Sequence, residues 1–341
     1  MPAQDATPAP PSPAAAPVRR LASGAFTALC WLLAVALAVF GLTRLTGLQS
    51  GVLLVQLTSF TPYVAAGALA VAALAALGRR LVPAALAGVA AAVLIACVAP
   101  RALASPESGD AGVPLVVMSV NLRLGGADPQ AVVDLVRAEH VDVLALQELT
   151  PESEQALLAL GLGEELPYRE SHPHVGASGT ALFARGALTD GGSRIVSDEG
   201  HDQAYATLTM PGAAPVTLES VHPVPPLSND LLPYWRVALG NQLPATTPGP
   251  PRILVGDFNA TLDHAELRRL LATGYRDAAD EVGAGLTPTW PFYGLRAAVT
   301  PKIAIDHVLV PAGVGVRDFR AVTIPYTDHR AVIVTLRLPR A

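Results

Sequence analysis

Residues 252–261 read RILVGDFNAT, an apolar run, Ile253-Leu254-Val255, that ends in Gly256-Asp257-Phe258-Asn259. Side chains alternate across a strand, so Asp257 and Asn259 share one side if the strand continues, while Phe258 faces the core. A carboxylate and an amide then stand together at the end of a buried strand. Gly-Asp and Asn-Ala are also ordinary turn residues, so the stretch alone does not choose between a turn and a site. The choice rests on how many other segments end the same way.

Five do. LVVMSVN ends at Asn121, VDVLALQE in Gln147-Glu148, and VTLESVH at His222. IAIDH carries Asp306 and His307 inside an apolar strand, and IPYTDHRAVIV sets Asp328-His329 just before another. Strands are expected over 115–120, 141–146, 180–184, 205–209, 216–221, 253–256, 303–310 and 331–336. Helices are expected over 129–139, 151–160, 231–243 and 264–271, with Thr150-Pro151 as an N-cap and first helical residue. Sheet-only and layered α/β arrangements both fit this pattern.

The polar ends have a common chemistry. Mg²⁺ takes one or two carboxylates together with waters and phosphate oxygens. Glu148, Asp257 and Asp328 supply carboxylates, and Asn121 and Asn259 neutral oxygens. A phosphoester hydrolase also needs an oriented water and a proton route to the leaving oxygen. His222 and His329 are the acid/base candidates, and Asp306 can fix the tautomer of one imidazole. Alternation turns His307 to the opposite face, in a structural role. Packing is the expected job of Trp290, and His201 and His264 carry no supporting context.

In this order, Asn121, Gln147-Glu148, His222, Gly256-Asp257-Phe258-Asn259, Asp306-His307 and Asp328-His329 resemble the endonuclease/exonuclease/phosphatase family. The resemblance covers about residues 113 to 338 and implies a four-layer αββα sandwich of two mostly antiparallel sheets, an α+β fold. It implies that Glu148 is the main metal ligand, for Mg²⁺ or Mn²⁺, with Asn121 beside it and Asp328 reaching the metal. Asp257 would align or activate water, Asn259 would hydrogen-bond the phosphate, and His222 would contact the phosphate or assist the leaving group. His329, oriented by Asp306, would act on the phosphoryl centre.

The remainder of the chain is different. Of 341 residues 51% are hydrophobic, and mean hydropathy is +0.41. Residues 1–20 form a Pro/Ala-rich tail expected to be disordered. Three long uncharged runs follow, and transmembrane helices are expected at about 21–43, 52–78 and 81–100. Arg19-Arg20 and Arg79-Arg80, against single arginines at 44 and 101, place the N-terminus in the cytoplasm and the catalytic domain, 114–341, outside a cell membrane. A linker spans 102–113, and cleavage near Ala104 would release the soluble part. Cys30 and Cys97 both lie in apolar runs, so the outer region forms no disulfide of its own.

Residues 113–341 hold 17 Lys+Arg against 25 Asp+Glu, a formal charge of −8, without the basic stripe of a nucleic-acid-gripping surface. The expected partners are the lipid bilayer and a phosphoester substrate (nucleic acid, phospholipid or small molecule), with no protein partner. A non-catalytic receptor or scaffold on the same fold is the alternative. A transporter would need ionisable groups inside the spans, which have none.

Overall fold

The computed structural model describes residues 15–105 and 112–341. Helix α1 spans Ala15–Thr46, α2 Val52–Thr58, α3 Thr61–Leu77 and α4 Leu81–Val98. The expected tail lies outside the described residues up to 14, but its last part, from Ala15, is helical. The expected linker is docked at its start, where Ala104 bridges to Val282; positions 106–111 lie outside the described residues.

The chain divides into two compact units. One holds the apolar helices, up to Thr46 and over Pro62–Cys97; the other holds Gly47–Thr61 and Val98–Ala341. Two stretches, Arg20–Thr46 and Leu81–Ala102, are long and apolar enough to cross a membrane. The sequence pattern runs 52–78 as one helix, but α2 and α3 meet at a bend of 80°. The physical reason is packing: Val55 of α2 is wholly buried in the core of the second unit, against Trp235, Leu254 and Phe258. Helix α3 alone has 17 residues, about 26 Å at the rise of an α-helix.

The second unit is a sandwich. Its strands are β1 Val113–Asn121, β2 Val143–Gln147, β3 Tyr168–His172, β4 Thr180–Ala184, β5 Ala187–Ile195 and β6 Asp202–Thr209. There follow β7 Val216–Val221, β8 Arg252–Asp257, β9 Arg276–Asp277, β10 Asp306–Val310, β11 Gly315–Thr323 and β12 Arg330–Leu338. One sheet has the order β11-β12-β1-β2-β4-β3 and the other β5-β6-β7-β8-β10-β9. Each is antiparallel except for one central parallel pair, β1/β2 in the first and β7/β8 in the second.

Central strands are buried on both faces, which is why their sequences read as continuous apolar runs rather than alternating ones. Val117, Val143, Ile253 and Val255 pack between the sheets. Met118, Val120, Leu144 and Leu146 face the helices Pro129–Ala138 and Pro151–Ala159 on one outer side. Leu254 and Leu309 face the helices Leu232–Gly240 and Ala265–Leu271 on the other. The architecture is therefore helix, sheet, sheet, helix. Strands β5 and β11 escape the sequence pattern because both are polar edge strands with a register irregularity, devices that blunt an open edge.

Candidate active site

Ligand sites in parallel sheets form beyond the carboxyl ends of the strands. Here two parallel pairs converge, delivering Asn121 from β1, Glu148 just after β2, His222 just after β7 and Asp257 at the end of β8. Strand β10 places Asp306 directly opposite Asp257. Gly256 permits the convergence. Its φ is +147°, and a Cβ there would lie 2.2 Å from the Val221 carbonyl oxygen. Glu148 and Asn259 also hold positive φ, 56° and 48°, a strained backbone of the kind that gathers at functional sites.

Asp257 is the hub. Its Oδ1 accepts from the Asn259 backbone N–H at 2.8 Å, and its Oδ2 accepts from Asn121 Nδ2 at 3.0 Å. The same Nδ2 donates to Glu148 Oε1 at 3.1 Å, so one amide joins the two carboxylates. Because Asn121 Oδ1 accepts from the Arg123 N–H, Asn121 presents its nitrogen, not its oxygen, to the pair. Asn259 donates its side-chain amide to the Pro223 carbonyl at 3.0 Å.

Two histidines flank the hub. His329 Nδ1 donates to both oxygens of Asp306, at 3.0 and 3.1 Å, which turns its Nε2 toward Asp257 Oδ2 at 3.6 Å. Burial pulls the His329 imidazole down, but Asp306 and Asp257 outweigh it and push it up to about 10. It is an imidazolium at neutral pH. His222 Nε2 lies 3.7 Å from Asp257 Oδ2 and 3.8 Å from Glu148 Oε1. Burial, then the charges of His201 and His329, hold it well below the usual histidine range, so it is neutral. Asp257 is pushed up to about 7 by burial, with Asp306 and Glu148 adding and His329 opposing.

That upward push tests the fit of a cation. Asp257, Asp306 and His329 bring ligating atoms within 4.8 Å of one another. Yet an imidazolium offers no lone pair, and Asp306 is committed to it. The carboxylates whose chemistry suits a hard divalent ion are Glu148 and Asp257, which share the Asn121 amide. Asp328 stands apart at the rim, where its Oδ2 accepts from Trp290 Nε1 at 2.9 Å and its Oδ1 lies 3.7 Å from Arg123.

A cleft of about 720 Å³ opens over Glu148, His222, Asp257, Asn259 and His329, with Asp328 and Trp290 also in its wall. Behind it, Ser119 donates to Gln147, and Gln147 to Ser220 at 2.9 Å, a buried polar chain that ties the two sheets together beneath the site. His307 turns away from the cleft to Asp277 and the Ala260 carbonyl. His264 also lies elsewhere, between the Thr261 N–H and the Val55 carbonyl.

Several cleft residues lie outside those the sequence singles out. His201 contacts His222 through their Nδ1 atoms at 3.1 Å, and Arg123, Gln56 and Phe60 line the wall. A Gly-His pair in a polar loop gives no signal for the first. For Arg123 the signal is its place, two residues past Asn121.

The profile described as Endonuclease/Exonuclease/phosphatase family matches residues 118–329. No curated protein matches the chain. Among solved structures, an endonuclease/exonuclease/phosphatase from Beutenbergia cavernae is similar at 19% identity and TM-score 0.54, covering 66% of this chain and 72% of that one. A humanised D. rerio TDP2 is similar at 18% identity and TM-score 0.52, covering 66% and 99%. TDP2 from C. elegans is similar at 18% identity and TM-score 0.54, covering 68% and 78%. At these identities the structures speak to the fold.

Proposed function

The chain belongs to the endonuclease/exonuclease/phosphatase family, and on that premise we propose that it is a membrane-anchored, divalent-metal-dependent phosphoester hydrolase. One observation carries the reading. A buried, proton-accepting carboxylate, Asp257, stands between a second carboxylate, Glu148, and an imidazolium, His329, that is locked by Asp306. Hydrolysis joins a water oxygen to phosphorus as the P–O bond to the alcohol breaks; the water gives up a proton and the departing alkoxide takes one.

Each residue has a role in that change. Asp257, ionised above about 7, aligns the water and takes its proton. His329 sets a fixed positive charge against the charge that grows on the phosphoryl oxygens, and Asp306 keeps its ring aimed. Neutral His222 and the amide of Asn259 offer hydrogen bonds to the phosphate. Glu148 is the carboxylate that would hold Mg²⁺ or Mn²⁺, with Asn121 beside it and Asp328 at the rim. Such an ion supplies Lewis-acid polarisation of a phosphoryl oxygen.

The anchoring rests on topology. Gly47–Thr61 and Val98–Ala341 form one compact unit, which supports placing both on the same side of the membrane. On that placement the chain between them crosses an even number of times. With α4 as one span, α3 is its return partner. Helix α1 then makes a third span, with the N-terminus opposite the catalytic unit and the paired arginines on the cytoplasmic side. The test is turnover of bis-p-nitrophenyl phosphate by the full chain in nanodiscs. Activity is expected with Mg²⁺ or Mn²⁺, loss with chelator, and recovery on adding metal back; inertness of the folded, metal-loaded chain would refute the reading.

A further inference from the structure

The cleft is not walled by the domain after α4 alone. Gln56, Ser59 and Phe60 line it, and all three come from the connection between α1 and α3. That connection is fastened to the catalytic side at many points. The Val52 N–H donates to Asn229 Oδ1 at 2.9 Å, and Gln56 Nε2 to the Pro226 carbonyl at 3.1 Å. Gln49 donates to the Asp263 carbonyl and accepts from the Ala265 N–H at 3.1 Å. His264 accepts from the Thr261 N–H at Nδ1, so its Nε2 carries the proton it gives to the Val55 carbonyl at 2.9 Å.

Helix α2 has a second apolar side. While Val55 and Thr58 are buried, Leu53 and Leu57, four apart and so on one face, are 69% and 43% exposed. Leu48 just before the helix is 71% exposed, and Leu227, in the cleft wall next to the Pro226 that Gln56 holds, is 62% exposed. Exposed apolar side chains concentrated in one short stretch and in the wall it is bonded to mark a surface that meets something other than water. Chain connectivity says what. Gly47 follows α1 directly and Thr61 opens α3, so when those helices cross a bilayer this short stretch stands at its surface, together with the cleft wall it forms.

We propose that Gln56, Ser59 and Phe60 form the part of the substrate site that receives a lipid, so that the phosphoester hydrolysed is one carried by a membrane amphiphile. The proposal rests on the hydrolase and membrane readings above. The lipid's apolar part stays among the exposed leucines and the bilayer, and its phosphate reaches Asp257 and His329. Arg123 and Arg296, the arginines in the cleft wall, suit a single phosphate group. A nucleic-acid backbone needs a tract of such charges, and the domain's formal charge is −8. Hydrolysis adds one water across a P–O bond, leaving a hydroxyl on one fragment and the phosphate on the other.

The experiment uses the full chain with Mg²⁺ in nanodiscs of phosphatidylcholine, phosphatidylglycerol and phosphatidic acid. Each lipid is compared with its deacylated, water-soluble counterpart, and bis-p-nitrophenyl phosphate reports the hydrolytic centre itself. The expected result is a kcat/KM at least about tenfold higher for one or more lipids than for the deacylated counterpart. Phe60→Ser and Gln56→Ala should each lower lipid turnover by a larger factor than aryl-ester turnover, in proteins whose melting is close to that of the parent. Equal rates on lipid and deacylated esters, or hydrolysis of the aryl ester with every lipid untouched, would overturn the lipid inference and leave the hydrolase standing. An inert aryl ester would overturn both.

Discussion

Replacing Arg101 is the perturbation whose size the structure sets most directly. Arg101 lies just past α4 and donates from both terminal nitrogens to Asp263, at 2.8 and 2.7 Å. The two side chains are 8% and 1% exposed. Asp263 sits in the loop that begins at Asn259, and the same loop is gripped by Gln49 from the connection between α1 and α3. Arg101→Ala strips a buried carboxylate of its bidentate partner, a change that costs about 3–5 kcal/mol. For a domain of this size each kcal/mol shifts the melting temperature by roughly 2–4 °C, so a fall of about 6–20 °C is expected. Arg101→Met with Asp263→Leu removes both charges and should recover most of the loss. The assay is thermal unfolding of the full chain in nanodiscs, followed by tryptophan fluorescence, with wild type and both variants side by side. Melting of Arg101→Ala within about 2 °C of wild type would refute the claim that this pair fastens the domain.

Further outcomes follow from the same contacts. A fragment of residues 105–341 lacks Arg101, Gln49 and Val55, and should show faster hydrogen exchange over 258–270 than the full chain; equal protection would contradict the docking of 47–61. The raised values of Asp257, about 7, and His329, about 10, each give the metal-free protein stability at low pH. Asp257's share is lost as pH rises from about 4 through 7, and His329's from about 6.5 through 10. Ionising Asp257 adds a negative charge beside Glu148, the carboxylate that would hold the ion, so Mg²⁺ should raise the melting temperature more at about pH 8 than at about pH 5.5, and an increment that is flat or reversed would count against it. Gly256→Ala would force a Cβ to 2.2 Å from the Val221 oxygen, and a loss of about 2 kcal/mol or more in a denaturant titration is expected; a neutral result would mean the β7/β8 approach is looser than described.

What the sequence carries clearly is whatever one strand can encode. Asn121, Glu148, His222, Asp257 and Asp306 each end or begin an apolar run, and buried central strands print such runs plainly. The sandwich was legible through the family resemblance, since apolar runs alone fit several β-rich folds. Three things were not. The break between α2 and α3 is decided by Val55 entering a core built some two hundred residues later, so local hydropathy sees one long helix. The orientation of Asn121 depends on a hydrogen bond from Arg123 and on two carboxylates from other strands. The opposite states of His222 and His329 come mostly from distant neighbours: burial and two imidazoles hold His222 down, while two carboxylates from other strands outweigh burial at His329.

The central claim is that Asp257, beside Glu148 and facing the His329–Asp306 pair, is the centre of a hydrolytic site. The most direct test is the rate of bis-p-nitrophenyl phosphate hydrolysis by the Mg²⁺-loaded full chain, wild type against Asp257→Asn. The substitution keeps the shape and removes the proton-accepting oxygen. A fall of about 10²–10⁴-fold, in a variant that still unfolds cooperatively, is the expected result. A variant that folds and turns over substrate at the wild-type rate would contradict the account.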